Sequence, residues 1–156
     1  MLDLKPENLL YLSKEANSDL VLADFGIAKM LDRDQQALNT MAGSFGYAAP
    51  EVMLKRGHSY PVDMWSMGVI TYTLLCGYSP FRSESLPDLI QECQSGQVVF
   101  HDRYWRDVCT DAKEFILNLL KVDPAKRWTS EVRRPLFFFS FFFLHQKKNS
   151  FHLDKE

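Results

Sequence analysis

Asp3-Leu4-Lys5-Pro6-Glu7-Asn8 and Asp24-Phe25-Gly26 are the two strings whose joint reading decides the fold. Between them lie two short apolar runs, Leu9 to Tyr11 and Leu20 to Leu22, separated by Ser13, Asn17, Ser18 and Asp19. Apolar runs flanking a cluster of turn-forming residues predict a small β-hairpin. Asn8 enters that hairpin and Asp24 leaves it, so antiparallel pairing brings the Asn amide oxygen and the Asp carboxylate to one end. Asp3 lies just upstream. An amide oxygen and a carboxylate are the hard donors that Mg²⁺ prefers.

The residue types suit phosphoryl transfer, which needs positioned metal ions, a group that orients the attacking hydroxyl and positive charge near the transferring phosphoryl. Asp3 can orient the hydroxyl, Lys5 can neutralise phosphoryl oxygens, and Asn8 and Asp24 can hold Mg²⁺. Together the two strings resemble the catalytic loop and metal-binding motif of the eukaryotic protein kinases. The resemblance continues with Ala49-Pro50-Glu51, similar to the end of a kinase activation segment, and with Gly43-Ser44-Phe45-Gly46-Tyr47 before it. It implies ATP and Mg²⁺ as cofactors and protein substrates. It also implies a hydroxyl at Ser44 that bonds the catalytic Asp and Lys, and an activating phosphothreonine at Thr40 in a polar loop.

Downstream, the stretch from Asp63 to Leu75 is apolar nearly all round. It is too short and too interrupted by Ser and Thr to span a bilayer, and so predicts a buried central helix. Asp63 can cap that helix, and Gly77 and Pro80 end it. In the kinases the residue at the position of Asp63 binds backbone N–H groups of the catalytic loop. Leu86 to Ser95 reads as a short helix and Thr110 to Lys121 as a longer one. In the latter Thr110 is the candidate cap, and Ala112, Phe115, Ile116, Leu119 and Leu120 lie on one face. Asp123 to Thr129 is similar to the kinase segment whose Arg pairs with the activation-segment Glu, which implies a buried Glu51–Arg127 ion pair. Asn8 to Tyr11, Gly57 to Trp65, Leu75 to Phe81 and Tyr104-Trp105 resemble the calcium/calmodulin-dependent group, especially its type I branch.

Two departures from that pattern stand out. The residues start two positions before Asp3, with Met1 and Leu2 where the family has His and Arg, and contain no Gly-rich loop or strand Lys for the ATP phosphates. After Glu131 comes Val132-Arg133-Arg134-Pro135, and then a run from Leu136 to Leu144 holding six Phe residues. Such a run has neither helical period nor turn grammar. The tail from 132 to 156 is therefore expected to be disordered or translated intron sequence.

With 156 residues and a net charge of −2, the chain can bury one core and offers no electrostatic case for nucleic acid. Its three Cys lack C-x-x-C spacing and read as reduced core thiols. No signal peptide is visible and no membrane span is expected, so a cytoplasmic or nuclear address is the expectation.

The fold class expected is mainly α, the C-terminal lobe alone of the α+β kinase-like fold, over residues 1–131, with a small β-hairpin at its catalytic edge. The expected activity is Ser/Thr protein kinase, with calmodulin and an upstream activating kinase as partners of the full-length protein. A different class of reading is a catalytically inactive interaction module or decoy, and a third is a mis-delimited gene model.

Overall fold

The computed structural model describes residues 8–15, 18, 20–22, 45–56 and 59–131. Two three-residue strands, β1 (Leu9–Tyr11) and β2 (Leu20–Leu22), pair antiparallel with Leu9 opposite Leu22 and Tyr11 opposite Leu20. The other elements among the described residues are helices: α1 (Pro50–Met53), α2 (Pro61–Cys76), α3 (Leu86–Ser95), α4 (Asp102–Trp105) and α5 (Thr110–Leu119).

The axis of the fold is α2. Val62, Trp65, Gly68, Val69, Ile70, Thr71 and Tyr72 are all buried, which covers more than one face of the helix, as an all-round apolar sequence requires. Its hydroxyl and thiol side chains turn inward on their own backbone. Thr71 Oγ1 donates to Met67 O at 2.8 Å, Thr73 Oγ1 to Val69 O at 2.9 Å and Cys76 Sγ to Tyr72 O at 3.1 Å. Bonding one turn back removes the cost of burying these groups.

Packing between α2 and α5 is close because Gly68 has no side chain. A Cβ there would stand 2.9 Å from both Leu119 Cβ and Leu120 Cδ2, inside contact distance. From α5, Ala112, Phe115, Ile116 and Leu119 are buried, and Leu120 follows them inward. Trp65 stacks on Phe81 with centroids 5.4 Å apart, and Trp105 packs on Tyr72 and Phe100 at 4.7 and 4.6 Å.

Helix ends follow local chemistry. Gly77 adopts φ 83° after α2 and its N–H reaches Thr73 O at 2.8 Å, a left-handed cap that glycine adopts without strain. Ser85 caps α3, accepting from Asp88 N at 3.2 Å and donating to Asp88 Oδ2 at 2.6 Å. Two expected caps are corrected. Pro61, with its fixed φ, takes the first position of α2, which moves Asp63 to the third. Thr110 is already helical; Cys109 is the extended residue before α5, and its side chain makes no capping bond. That helix also ends at Leu119, short of Lys121.

Cysteine environments differ from one another. Cys93 is buried and Cys76 half-buried, whereas Cys109 is exposed, which corrects the expectation of three core thiols. Burial, with Glu92 beside it, pushes the Cys93 thiol from its ordinary 9.0 up to about 12. Folding thus favours the protonated thiol, and stability is lost as pH rises from 9 toward 12. With iodoacetamide at pH 8, Cys109 is expected to be alkylated first and Cys93 only on unfolding. Mass spectrometry of timed digests checks this, and early labelling of Cys93 would contradict the packing. Among the described residues no helix is long and apolar enough to cross a membrane.

Candidate functional site

Arg127 is the best-defined polar centre. The turn that presents it is built by Asp123, whose Oδ1 accepts from Ala125 N at 3.0 Å and whose carbonyl accepts from Lys126 N at 3.0 Å. The guanidinium is then carried inward to 3 % exposure.

All its donors are used. Nη1 donates to Glu51 Oε1 at 2.7 Å and Nη2 to Glu51 Oε2 at 3.1 Å, a bidentate pair. Nη1 also donates to Pro61 O at 2.9 Å, Nη2 to Val122 O at 3.3 Å and Nε to Lys121 O at 2.9 Å. The plane lies over Trp65, with Cζ 5.1 Å from the ring centroid. One side chain therefore ties α1, the start of α2 and the exit of α5 together. A lysine could not replace it, having three donors and no planar fork.

Glu51 enters this centre because Pro50 starts a single helical turn whose Pro50, Glu51 and Met53 are all buried. The segment just before is fixed by a second tie, Ser66 Oγ donating to Tyr47 O at 2.8 Å from the middle of α2. The segment from Phe45 to Met53 is thus held to the helical body at two points.

Of the sequence-derived candidates, the structure brings Glu51 and Arg127 together and sets Asp63 half-buried in the first turn of α2. Asn8 is half-buried immediately before β1. Asp3, Lys5, Asp24, Thr40 and Ser44 lie outside the described residues, as does the tail from 132 to 156. Among the described residues no cluster of His, Cys, Asp and Glu could hold a metal ion by itself. Sequence reasoning missed the three carbonyls around Arg127 and the Trp65 face, which no linear spacing signals. It also missed a basic, aromatic cleft at Tyr78, Arg82, His101, Arg103 and Tyr104.

The family model described as a protein kinase domain matches residues 1–137. Over 129 residues, 83% of the chain, the sequence is 74% identical to a calcium/calmodulin-dependent protein kinase of Emericella nidulans and 70% identical to one of Metarhizium anisopliae. A calcium/calmodulin-dependent protein kinase type I of Schizosaccharomyces pombe is 46% identical over 82% of the chain. The twitchin kinase region from C. elegans superposes with a TM-score of 0.67 at 38% identity, covering 82% of this chain and 22% of that one. The chain spans about a third of the length of the curated relatives, 31% of the first, 34% of the second and 38% of the third.

Proposed function

Since this chain belongs to the protein kinase family, as part of a calcium/calmodulin-dependent-like kinase domain, we propose that it supplies the catalytic C-terminal lobe of a Ser/Thr protein kinase. Residues 1–131 form the lobe in this reading and the remainder is a tail foreign to it. The observation that carries it is the kinase-domain match over residues 1–137, which spans every motif position from Asp3 to Arg127.

The antiparallel register supports the roles of the motif residues. Leu9 opposite Leu22 sets the entry of β1, which Asn8 precedes, beside the exit of β2, which Asp24 follows by two positions in sequence. The pair would form the catalytic edge of the lobe. Amide and carboxylate oxygens fit Mg²⁺, so Asn8 and Asp24 would hold the metal of a Mg–ATP complex. When bound, that complex supplies the γ-phosphoryl group and screens its charge. Asp3 would orient the attacking Ser or Thr hydroxyl and take its proton, Lys5 would offset the developing phosphoryl charge, and the Ser44 hydroxyl would be a partner for both. Asp63, in the first turn of α2, would bind backbone N–H groups of the catalytic loop. Glu51 and Arg127 hold the end of the activation segment on the helical body, and phosphate on Thr40 would order the loop before it.

Calmodulin and an upstream activating kinase are the partners this reading implies for the whole protein, in a cytoplasmic setting. The test completes the domain with the ATP-binding lobe of one of the relatives and titrates Mg²⁺. Asn8→Ala is expected to raise the Mg²⁺ concentration at half-maximal rate by about tenfold, and Asp24→Ala to abolish the rate. Unchanged Mg²⁺ dependence in both variants would contradict the assignment.

A further inference from the structure

A second polar surface lies beyond α2, where its exit loop meets α4. There Tyr78, Arg82, His101, Arg103 and Tyr104 line an open cleft of about 560 Å³ whose walls include no Asp or Glu. In a chain of net charge −2, that lining carries two arginines and no carboxylate.

The cleft is also ordered. Arg82 Cζ stands 5.2 Å from the Tyr78 ring, Tyr78 and Tyr104 meet edge to face at 5.3 Å, and Arg103 Cζ stands 5.4 Å from the Tyr104 ring. The two guanidiniums thus lie over the rings of a pair of tyrosines, a cation–π arrangement. Tyr78 is itself fixed. Tyr72 Oη lies 2.6 Å from Val99 O and 3.1 Å from Tyr78 Oη. Tyr72 has one proton and the carbonyl can only accept, so Tyr72 donates to Val99 and Tyr78 donates to Tyr72.

Neither guanidinium is neutralised by a carboxylate among the described residues. Glu92 spends Oε2 on Arg82 N and Ser83 N at 3.0 Å each and on Ser83 Oγ at 2.8 Å. It shapes the loop that carries Arg82 and leaves the guanidinium edge uncommitted. Arg82, His101, Arg103 and Tyr104 are all exposed.

We propose that this cleft docks an acidic segment of a protein partner, with one anionic side chain on Arg82 and a second on Arg103. The three steps of the Arg–Tyr–Tyr–Arg ladder put the two guanidiniums at most about 16 Å apart, a span that an extended peptide of roughly five residues covers. The cleft is too open to enclose a small molecule, whereas a peptide can lie across it. This goes beyond the kinase reading and needs no ATP, so failure of either leaves the other standing.

The test is fluorescence anisotropy of the full chain with labelled synthetic peptides at 50 mM salt. One peptide carries two Glu residues separated by three positions, a second carries phosphoserine at both, and a third carries Gln. The first two are expected to bind at least tenfold more tightly than the third, the order between them telling carboxylate from phosphate. Arg82→Gln combined with Arg103→Gln is expected to weaken binding of the acidic peptides about tenfold, as loss of two exposed charged contacts should. Both sites are exposed, and an unchanged melt verifies the fold. Should that melt shift, Tyr104→Leu removes a stacking partner with every charge in place and must weaken binding too. Equal binding of the Glu and Gln peptides, or no effect of the variant used, overturns the proposal. So does binding to phosphatidylserine vesicles that the acidic peptides cannot displace.

Discussion

Arg127→Met should lower the unfolding free energy by about 3–5 kcal/mol, the range for removing one partner of a buried ion pair. The reason is what the substitution strands. Glu51 is left as a buried carboxylate without its bidentate partner, and the carbonyls of Pro61, Lys121 and Val122 lose their donor at the same time. Glu51→Leu combined with Arg127→Met removes the stranded charge and should recover part of the loss. Recovery stays incomplete because the three carbonyls remain unsatisfied. Urea unfolding of the single and double variants reads this directly, as a fall in midpoint at constant slope. A loss under about 1 kcal/mol for Arg127→Met, the scale of an exposed pair, would mean the cluster does not organise the lobe.

In the domain completed with an ATP-binding lobe, Asp3→Ala should lower kcat by about 10²- to 10⁴-fold, the range for removing a general base. Orienting and deprotonating the hydroxyl is an interaction strengthened in the transition state, so KM for ATP should change little. Lys5→Ala should act in the same sense, through lost charge on the phosphoryl oxygens. Steady-state kinetics with a Ser-containing peptide separates the two parameters. A kcat for Asp3→Ala within tenfold of the unaltered domain would remove Asp3 from the chemistry.

Long-period features of the fold were legible in the residues, and single-turn features were not. Ala112, Phe115, Ile116 and Leu119 repeat at helical spacing and all are buried in α5. The short helix read over Leu86 to Ser95 is α3, which Ser85 and Gly96 cap in the structure. By contrast α1 and α4 are four residues each, too short to carry a period, and take their helical form from burying Met53 and Trp105. Thr110 misled as a cap because hydroxyl chemistry suits the position on either side of a helix start.

The polar centre was legible only in part. Glu51 and Arg127 are 76 residues apart, a separation that no local rule bridges, and only family resemblance suggested the pair. Its three carbonyl partners come from chain ends converging in space. The cleft around Tyr78 and Tyr104 escaped for the same reason: its arginines are 21 positions apart and line one cleft only because α2, its exit loop and α4 fold together.

The proposed function has the motif residues of this chain transfer the γ-phosphoryl group of ATP to a protein Ser or Thr hydroxyl. It is tested most directly by incubating the completed domain with γ-labelled ATP, Mg²⁺ and matched peptides that carry Ser, Thr or Tyr as the sole acceptor. Label is expected on the Ser and Thr peptides, little on the Tyr peptide and none with Asp24→Ala. A folded domain that labels only the Tyr peptide, or hydrolyses ATP without labelling any peptide, would contradict it.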